Sequence, residues 1–397
     1  MTSLNPTSKQ IGWFIACAAA ALIFYGLQAY QSYADSGGRI LARDYAVFRF
    51  AAILVWQGDF ATLFDTAKFI AAHEVFEQAP VGFSPFPYPP SALWAVVPLR
   101  LLPAGAVGLI AWLGVTFALF AWPICRRRAQ PWRTTAALLL APGCIVNLAY
   151  GQNGFLTGAL LAGGLLLLPT RPILAGLLFG LLTFKPQFGL LLPFVLLAGG
   201  YYRTFVAAAA LTMMLALASL VLFGTAPWQA YLEVVMPNQR IFLESGSGLA
   251  LLTTPSVFMG ARLLGMPTTV NYALQAMAAV VVVAACVQVF RRRSASVELK
   301  AALVMVGAFL VTPYCSSSDM GLIAAAQILV LAHTTQLGER DRVLHGVVWA
   351  LPVLMVPASL AHLPIGPLAL GALFYGLFRM ATAERTDQAA VSPASAP

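Results

Sequence analysis

The chain has 397 residues, 60% of them hydrophobic and 9% charged, with a mean hydropathy of +0.82. A soluble domain carries about a quarter charged residues, so these proportions exclude a soluble globular fold and point to a polytopic membrane protein. The formal charge of +9 needs no nucleic-acid partner, because its distribution along the chain accounts for it.

Apolar stretches of helical length fall at 11–31, 106–124, 134–150, 155–169, 172–184, 188–200, 205–223, 269–290, 299–313, 320–334, 343–361 and 365–379. Their recurrence to the C-terminus excludes a signal peptide alone. Several are shorter than the roughly 20 residues a spanning helix needs, and read as helices extended into polar flanks or broken inside a bundle. With a cytoplasmic N-terminus, these twelve crossings place both RRR triplets, 126–128 and 291–293, inside. The cytoplasmic side then holds 15 Lys/Arg against 5 acids and the outer side 8 against 9, a positive-inside pattern.

The proline-rich stretch FSPFPYPPSALWAVVPLR, 83–100, tests that count. As a helix, 91–102 would span about 18 Å against a hydrocarbon core of about 30 Å. As a crossing it would also move the first arginine triplet outside. It is therefore read as a short re-entrant or interfacial element, Pro89 and Pro90 opening its helix. The alternative, a tilted crossing with one other helix miscounted, stays open.

Two long outer loops follow from this topology, 32–105 and 224–268. FRFAAILVW and DFATLFDTAKFIAAHEVF in the first read as amphipathic helices lying on the membrane. The Ala/Ser/Pro-rich tail, 381–397, reads as disordered and cytoplasmic. The expected fold is thus all-α, a polytopic transmembrane helical bundle with twelve spans and short interfacial helices, forming one domain over 1–380.

Polar residues that could do chemistry gather at outer helix ends. Asp44 opens the run YAVFRFAAILVW; it reads as a helix cap or as a general base whose pKa burial lifts toward neutrality. Arg43 precedes it, and Asp59 and Asp65 in the same loop are rival bases. Gln152 and Asn153 in YGQNG suit sugar hydroxyls or simply make a turn. Lys185, in FKPQ with Gln187, lies outside against the positive-inside trend, and calls for a carboxylate or phosphate partner unless it snorkels. Asp319 follows Thr312-Pro313-Tyr314 and three serines, and Tyr88 sits in the proline-rich stretch. The cysteines (17, 125, 144, 286, 315) and histidines (73, 333, 345, 362) show no ligand spacing, so neither metal nor cofactor is expected.

The order Asp44-Tyr45, Trp56-Gln57-Gly58, Phe86-Pro87-Tyr88-Pro89-Pro90, Gly151-Gln152-Asn153, Lys185-Pro186 and Thr312-Pro313 resembles glycosyltransferase family 87, within the C-type membrane glycosyltransferases. The resemblance runs over roughly 10–380. It implies inverting transfer of a sugar, mannose or another hexose or pentose, from a polyprenyl-phosphate donor. It likewise implies an acceptor that is a lipid or glycan on the extracytoplasmic face of a bacterial inner membrane. By that likeness Asp44 is the catalytic base, Lys185 holds the donor phosphate, and Arg43, Tyr88, Gln152, Asn153, Gln187 and Asp319 contact substrate. No GxGxxG or GKS/GKT element is present for a nucleotide donor. A transporter or flippase for a lipid-linked or polar solute is the alternative; it would show inverted repeats and ionisable residues near helix midpoints, and neither is evident.

Overall fold

The computed structural model describes residues 8–292, 294–331 and 338–390, and among them every regular element is helical. The first half contains α1 (Ser8–Asp35), α2 (Arg43–Gln57), α3 (Phe60–Leu63), α4 (Thr66–Glu77), α5 (Leu93–Val96), α6 (Ala106–Cys125), α7 (Pro131–Leu139), α8 (Pro142–Tyr150), α9 (Gly154–Leu167) and α10 (Pro172–Leu181). Next come α11 (Leu192–Ala198), α12 (Tyr202–Phe223), α13 (Ala226–Ala230), α14 (Met236–Ser245), α15 (Leu249–Leu252) and α16 (Val257–Leu263). The chain continues through α17 (Thr268–Arg291), α18 (Val297–Leu310), α19 (Gly321–Leu331), α20 (Glu339–Leu360) and α21 (Ile365–Ala390). Six of these, α1, α6, α12, α17, α20 and α21, are long and apolar enough to cross a membrane. The chain is an all-α polytopic membrane protein.

The remaining apolar helices are short because protein, not lipid, surrounds the central ones. In α9, residues 154–166 are all buried, as are 301–310 of α18 and 321–330 of α19. Helix α9 packs on α6 and α10, and α18 packs on α19, α21 and α17. Buried on all sides, such helices leave their ends to be satisfied by neighbouring protein groups. By contrast α12 shows Val206, Met213, Met214, Leu217, Val221 and Leu222 on its outer surface, the composition of a lipid-facing wall.

Three expectations need correction. The stretch 134–150 is two nine-residue helices, α7 and α8, because Pro142 starts a new helix after the turn at Leu140 and Ala141. Helix α2 does not lie on a surface: Tyr45, Ala46, Val47, Phe48, Phe50, Ala51, Ala52 and Leu54 are buried, and α2 packs on α3, α5 and the 97–101 turn. A helix apolar on nearly every side is buried. The tail read as disordered from 381 continues α21 as far as Ala390; 391–397 lie outside the described residues.

The proline-rich stretch builds no helix of crossing length. Pro89 N-caps a 3₁₀ turn, 90–92, followed by α5 and a second 3₁₀ turn, 97–101. Pro90, Ser91, Ala92, Leu93, Ala95, Val96 and Leu99 are buried, so the segment is an internal wedge against α2.

The buried helices also give the bundle two chemically distinct ends. Arg127 donates to the Leu166 carbonyl at the end of α9 (2.7 Å) and pairs with Glu298 at the start of α18. Arg128 donates to the Ile328 carbonyl in α19 (2.5 Å), a cation at a helix C-terminus. The opposite ends of these same three helices lie beside the residues described next.

Candidate active site

Asp44 stands in the first turn of α2, but Ala42 is the N-cap, and no side chain caps the helix. The Asp44 carboxylate instead receives the Gln152 side-chain amide, Nε2 to Oδ2 at 3.0 Å. The Gln152 Oε1 accepts from the Asn153 backbone N–H (2.8 Å), which fixes the amide so that its NH₂ must face Asp44. Asn153 in turn donates Nδ2 to the Tyr88 hydroxyl at 2.9 Å.

Two glycines let this turn reach its neighbours. Gly151 has φ +67°, and a Cβ there would meet the Tyr45 and Ala42 Cβ atoms of the α2 start at 2.7 and 3.0 Å. Gly154 abuts the 316–319 turn, where an added Cβ would lie 2.2 Å from the Ser318 carbonyl oxygen. The YGQNG turn is thus wedged between the Asp44 helix and the Asp319 turn.

Lys185 lies between two 3₁₀ turns, 182–184 and 186–189, and is buried. Its Nζ donates to Asp319 Oδ1 at 2.6 Å, and it sits 5.9 Å from the Phe188 ring centroid. The partner of this lysine is therefore a carboxylate, 134 residues away in sequence. Ser316 accepts from the Ser318 N–H and caps the short turn that presents Asp319.

The charges act on one another. Burial pushes the Asp44 carboxyl up to about 6, against the opposing pull of Arg43, Lys185 and the Gln152 hydrogen bond. Tyr88 is held neutral, raised mainly by burial and further by the charges of Asp319 and Asp44. The rival acids lack such an environment. Asp59 caps α3 through the Thr62 N–H, and Asp65 caps α4 through Ala67 and Lys68; these hydrogen bonds hold both carboxyls below the ordinary range.

Arg43 acts on Asp44 by charge alone, and neither Arg43 nor Gln187 hydrogen-bonds within this network among the described residues. Arg43 is a strut for the aromatic loop, with Nε on Ser84 Oγ (3.1 Å) and Nη2 on the Phe83 carbonyl (2.6 Å). Gln187 is half-buried after Lys185 and makes no hydrogen bond to the cluster among the described residues. Sequence reading missed two supports. Asn147 accepts from the Gly154 N–H (2.7 Å), and Trp112 donates to the Gly151 carbonyl (3.3 Å). A lone amide within the apolar run of α8 was the available signal for Asn147; Trp112, inside α6, carries none.

A narrow cavity of about 10 Å³ opens beside Asn153, lined by Phe48, Tyr88, Trp112, Leu156 and Phe184 with three small residues of the 92–96 segment. The arrangement as a whole offers a carboxylate able to take a proton near neutral pH. It sets beside it an amide turn, a neutral phenol and a buried ammonium.

Comparison with known proteins adds one match. The model of glycosyltransferase family 87 matches residues 86–313, which include Tyr88, Gln152, Asn153, Lys185 and Gln187 but not Arg43, Asp44 or Asp319. No curated protein matches the chain, and no solved structure does. With more than half of its length matched, this membrane protein belongs to glycosyltransferase family 87.

Proposed function

We propose that the chain transfers a sugar from a polyprenyl-phosphate donor to a lipid or glycan acceptor, with inversion, on the extracytoplasmic face of a bacterial inner membrane. Family membership supports sugar transfer in general terms. The observation that carries the finer reading is Asp44, a carboxyl lifted to about 6 by burial, steered by Gln152 and sensing the charge of Lys185.

The acceptor hydroxyl gives its proton to Asp44 as its oxygen bonds to the anomeric carbon. The anomeric carbon–oxygen bond to phosphate breaks, and its electron pair leaves with the polyprenyl phosphate. One displacement from behind inverts the centre. A base with a pKa just below neutral is ionised at working pH and still accepts a proton readily. The departing phosphate needs cationic support more than an acid. Lys185 keeps two ammonium N–H groups beyond the one on Asp319, so phosphate and Asp319 share it.

A lipid-borne donor explains why the chain is almost wholly transmembrane: the prenyl tail stays among helices and lipid while the reacting centre sits at the helix ends. The arginine-bearing end, with Arg126, Arg127 and Arg128, is then cytoplasmic. On this reading the six long helices are joined by the shorter ones to complete twelve crossings, both termini inside. The test is transfer by purified protein from polyprenyl-phosphate-linked mannose, glucose and arabinofuranose to membrane glycolipid acceptors, read by product mass. A product from one of these donors is expected; no product from any of them contradicts the reading.

A further inference from the structure

Asn153 and Tyr88 are 5% and 9% exposed, yet their hydrogen bonding is incomplete. With Nδ2 on the Tyr88 oxygen, Asn153 Oδ1 is buried without a partner, and the Tyr88 proton finds no acceptor among the described residues. Turning the amide over does not cure this, because it leaves the NH₂ end unpaired instead. Buried polar groups in native proteins are nearly always satisfied, so an orphaned pair needs a reason.

The cavity at this pair supplies one. Its volume of about 10 Å³ admits one oxygen-sized group and no ring. The walls are aromatic, from Phe48, Trp112 and Phe184; the Trp112 N–H is committed to the Gly151 carbonyl, so Tyr88 and Asn153 are the lining side chains with hydrogen-bonding capacity to spare. A free acceptor beside a free donor matches a hydroxyl group, which donates once and accepts once. Asn153 directly follows Gln152, whose side chain holds Asp44, so the cavity lies one residue along the chain from the group steering the base.

We infer that the Tyr88–Asn153 pair is a specificity subsite that reads one non-reacting hydroxyl of a sugar ring, carried by the donor or by the acceptor. The inference rests on the sugar-transfer reading above and names what that site selects. The ring lies outside the cavity, and a single C–OH points in, completing both hydrogen bonds. An analogue lacking that hydroxyl leaves the pair unpaired in a closed complex, the situation in which enzymes discriminate most strongly.

The test is kcat/KM for the active donor and acceptor against their monodeoxy analogues, position by position. One arm uses deoxy-mannose, deoxy-glucose or deoxy-arabinofuranose polyprenyl phosphates, and the other uses deoxy acceptor glycolipids. Wild type is expected to lose about 10²-fold or more at one position, and the arm showing the loss identifies which substrate enters the cavity. Asn153→Ala and Tyr88→Phe are expected to flatten that preference to within about threefold while slowing the parent substrate. Tyr88→Phe keeps the ring and its packing, so it remains informative if Asn153→Ala does not fold. Equal use of every monodeoxy analogue by wild type, or an unchanged preference in both variants, overturns the inference and leaves a cavity for a trapped water only. Absence of transfer from every parent donor instead removes the sugar-transfer reading, and the subsite with it.

Discussion

At the scale of single residues, the sequence placed the polar candidates but left their roles open. Asp44 at the start of an apolar run read as a cap first and a base second, and the structure removes the cap: Ala42 holds that position, and the carboxylate faces Gln152. Asp59 and Asp65 resolve the other way, as the caps that Asp so often provides. Capping is local and legible in principle from the following residues, whereas the Gln152 contact spans 108 positions and is not. The carboxyl of Asp44, up to about 6, sets a pH dependence. Under the proposed mechanism Asp44 acts as the base and must be ionised, so kcat falls about tenfold per pH unit below the pKa. The Gln152 hydrogen bond lowers that pKa, so Gln152→Leu moves the acid limb of the kcat–pH profile to higher pH. An unmoved limb in that variant would remove Gln152 as the group steering Asp44.

At the scale of elements, the segments that sequence misjudged are those whose surroundings are protein rather than lipid. YAVFRFAAILVW is apolar nearly all round; taken as interfacial, it is instead buried as α2, carrying Asp44 on its first turn. The break between α7 and α8 was legible at Pro142, but hydropathy alone merged the two. The pairing of the 182–189 turns with the 316–319 turn was not legible, since it depends on close packing of α9 against that second turn at Gly154. The lysine that the topology placed against the charge trend did announce that it needed a partner, and Asp319 is that partner. Removing one member of a buried pair leaves a bare charge and costs about 3–5 kcal/mol. Lys185→Met therefore lowers thermal stability sharply, and the double variant Lys185→Met, Asp319→Leu recovers most of it. Under the proposed mechanism the double variant stays inactive because the phosphate has lost its cation. Recovery of transfer along with stability would reduce the pair to a structural role.

At the scale of the whole molecule, charge was the most informative feature of the sequence. The positive-inside count favoured a non-spanning reading of 89–102 and left a tilted crossing open; the structure makes that stretch a broken internal wedge. Helices α9, α18 and α19 each run between the arginine-bearing end and the end that holds Asp44, Gln152, Lys185 and Asp319. All five native cysteines are buried, so single exposed cysteines report topology without much background. Arg126 and Leu101 are exposed at opposite ends of α6 and its approach. In intact cells an impermeant thiol reagent should label Leu101→Cys and spare Arg126→Cys until the membrane is opened. Labelling of Arg126→Cys from outside would reverse the assigned orientation and move the site to the cytoplasmic face.

The most direct measurement of the central claim compares purified wild type with Asp44→Asn in transfer from a polyprenyl-phosphate sugar, alongside their melting temperatures. Asparagine keeps the shape and the contact with Gln152 but cannot take a proton at neutral pH. Burial raises the folded-state pKa of Asp44 from 3.8 to about 6, so its carboxylate loses stability as pH rises through that window. The asparagine variant is free of that loss, and at neutral pH it should melt no lower than wild type. Its kcat should fall by about 10²- to 10⁴-fold, the usual worth of a positioned general base. Transfer at the wild-type rate by a folded Asp44→Asn protein would contradict the account.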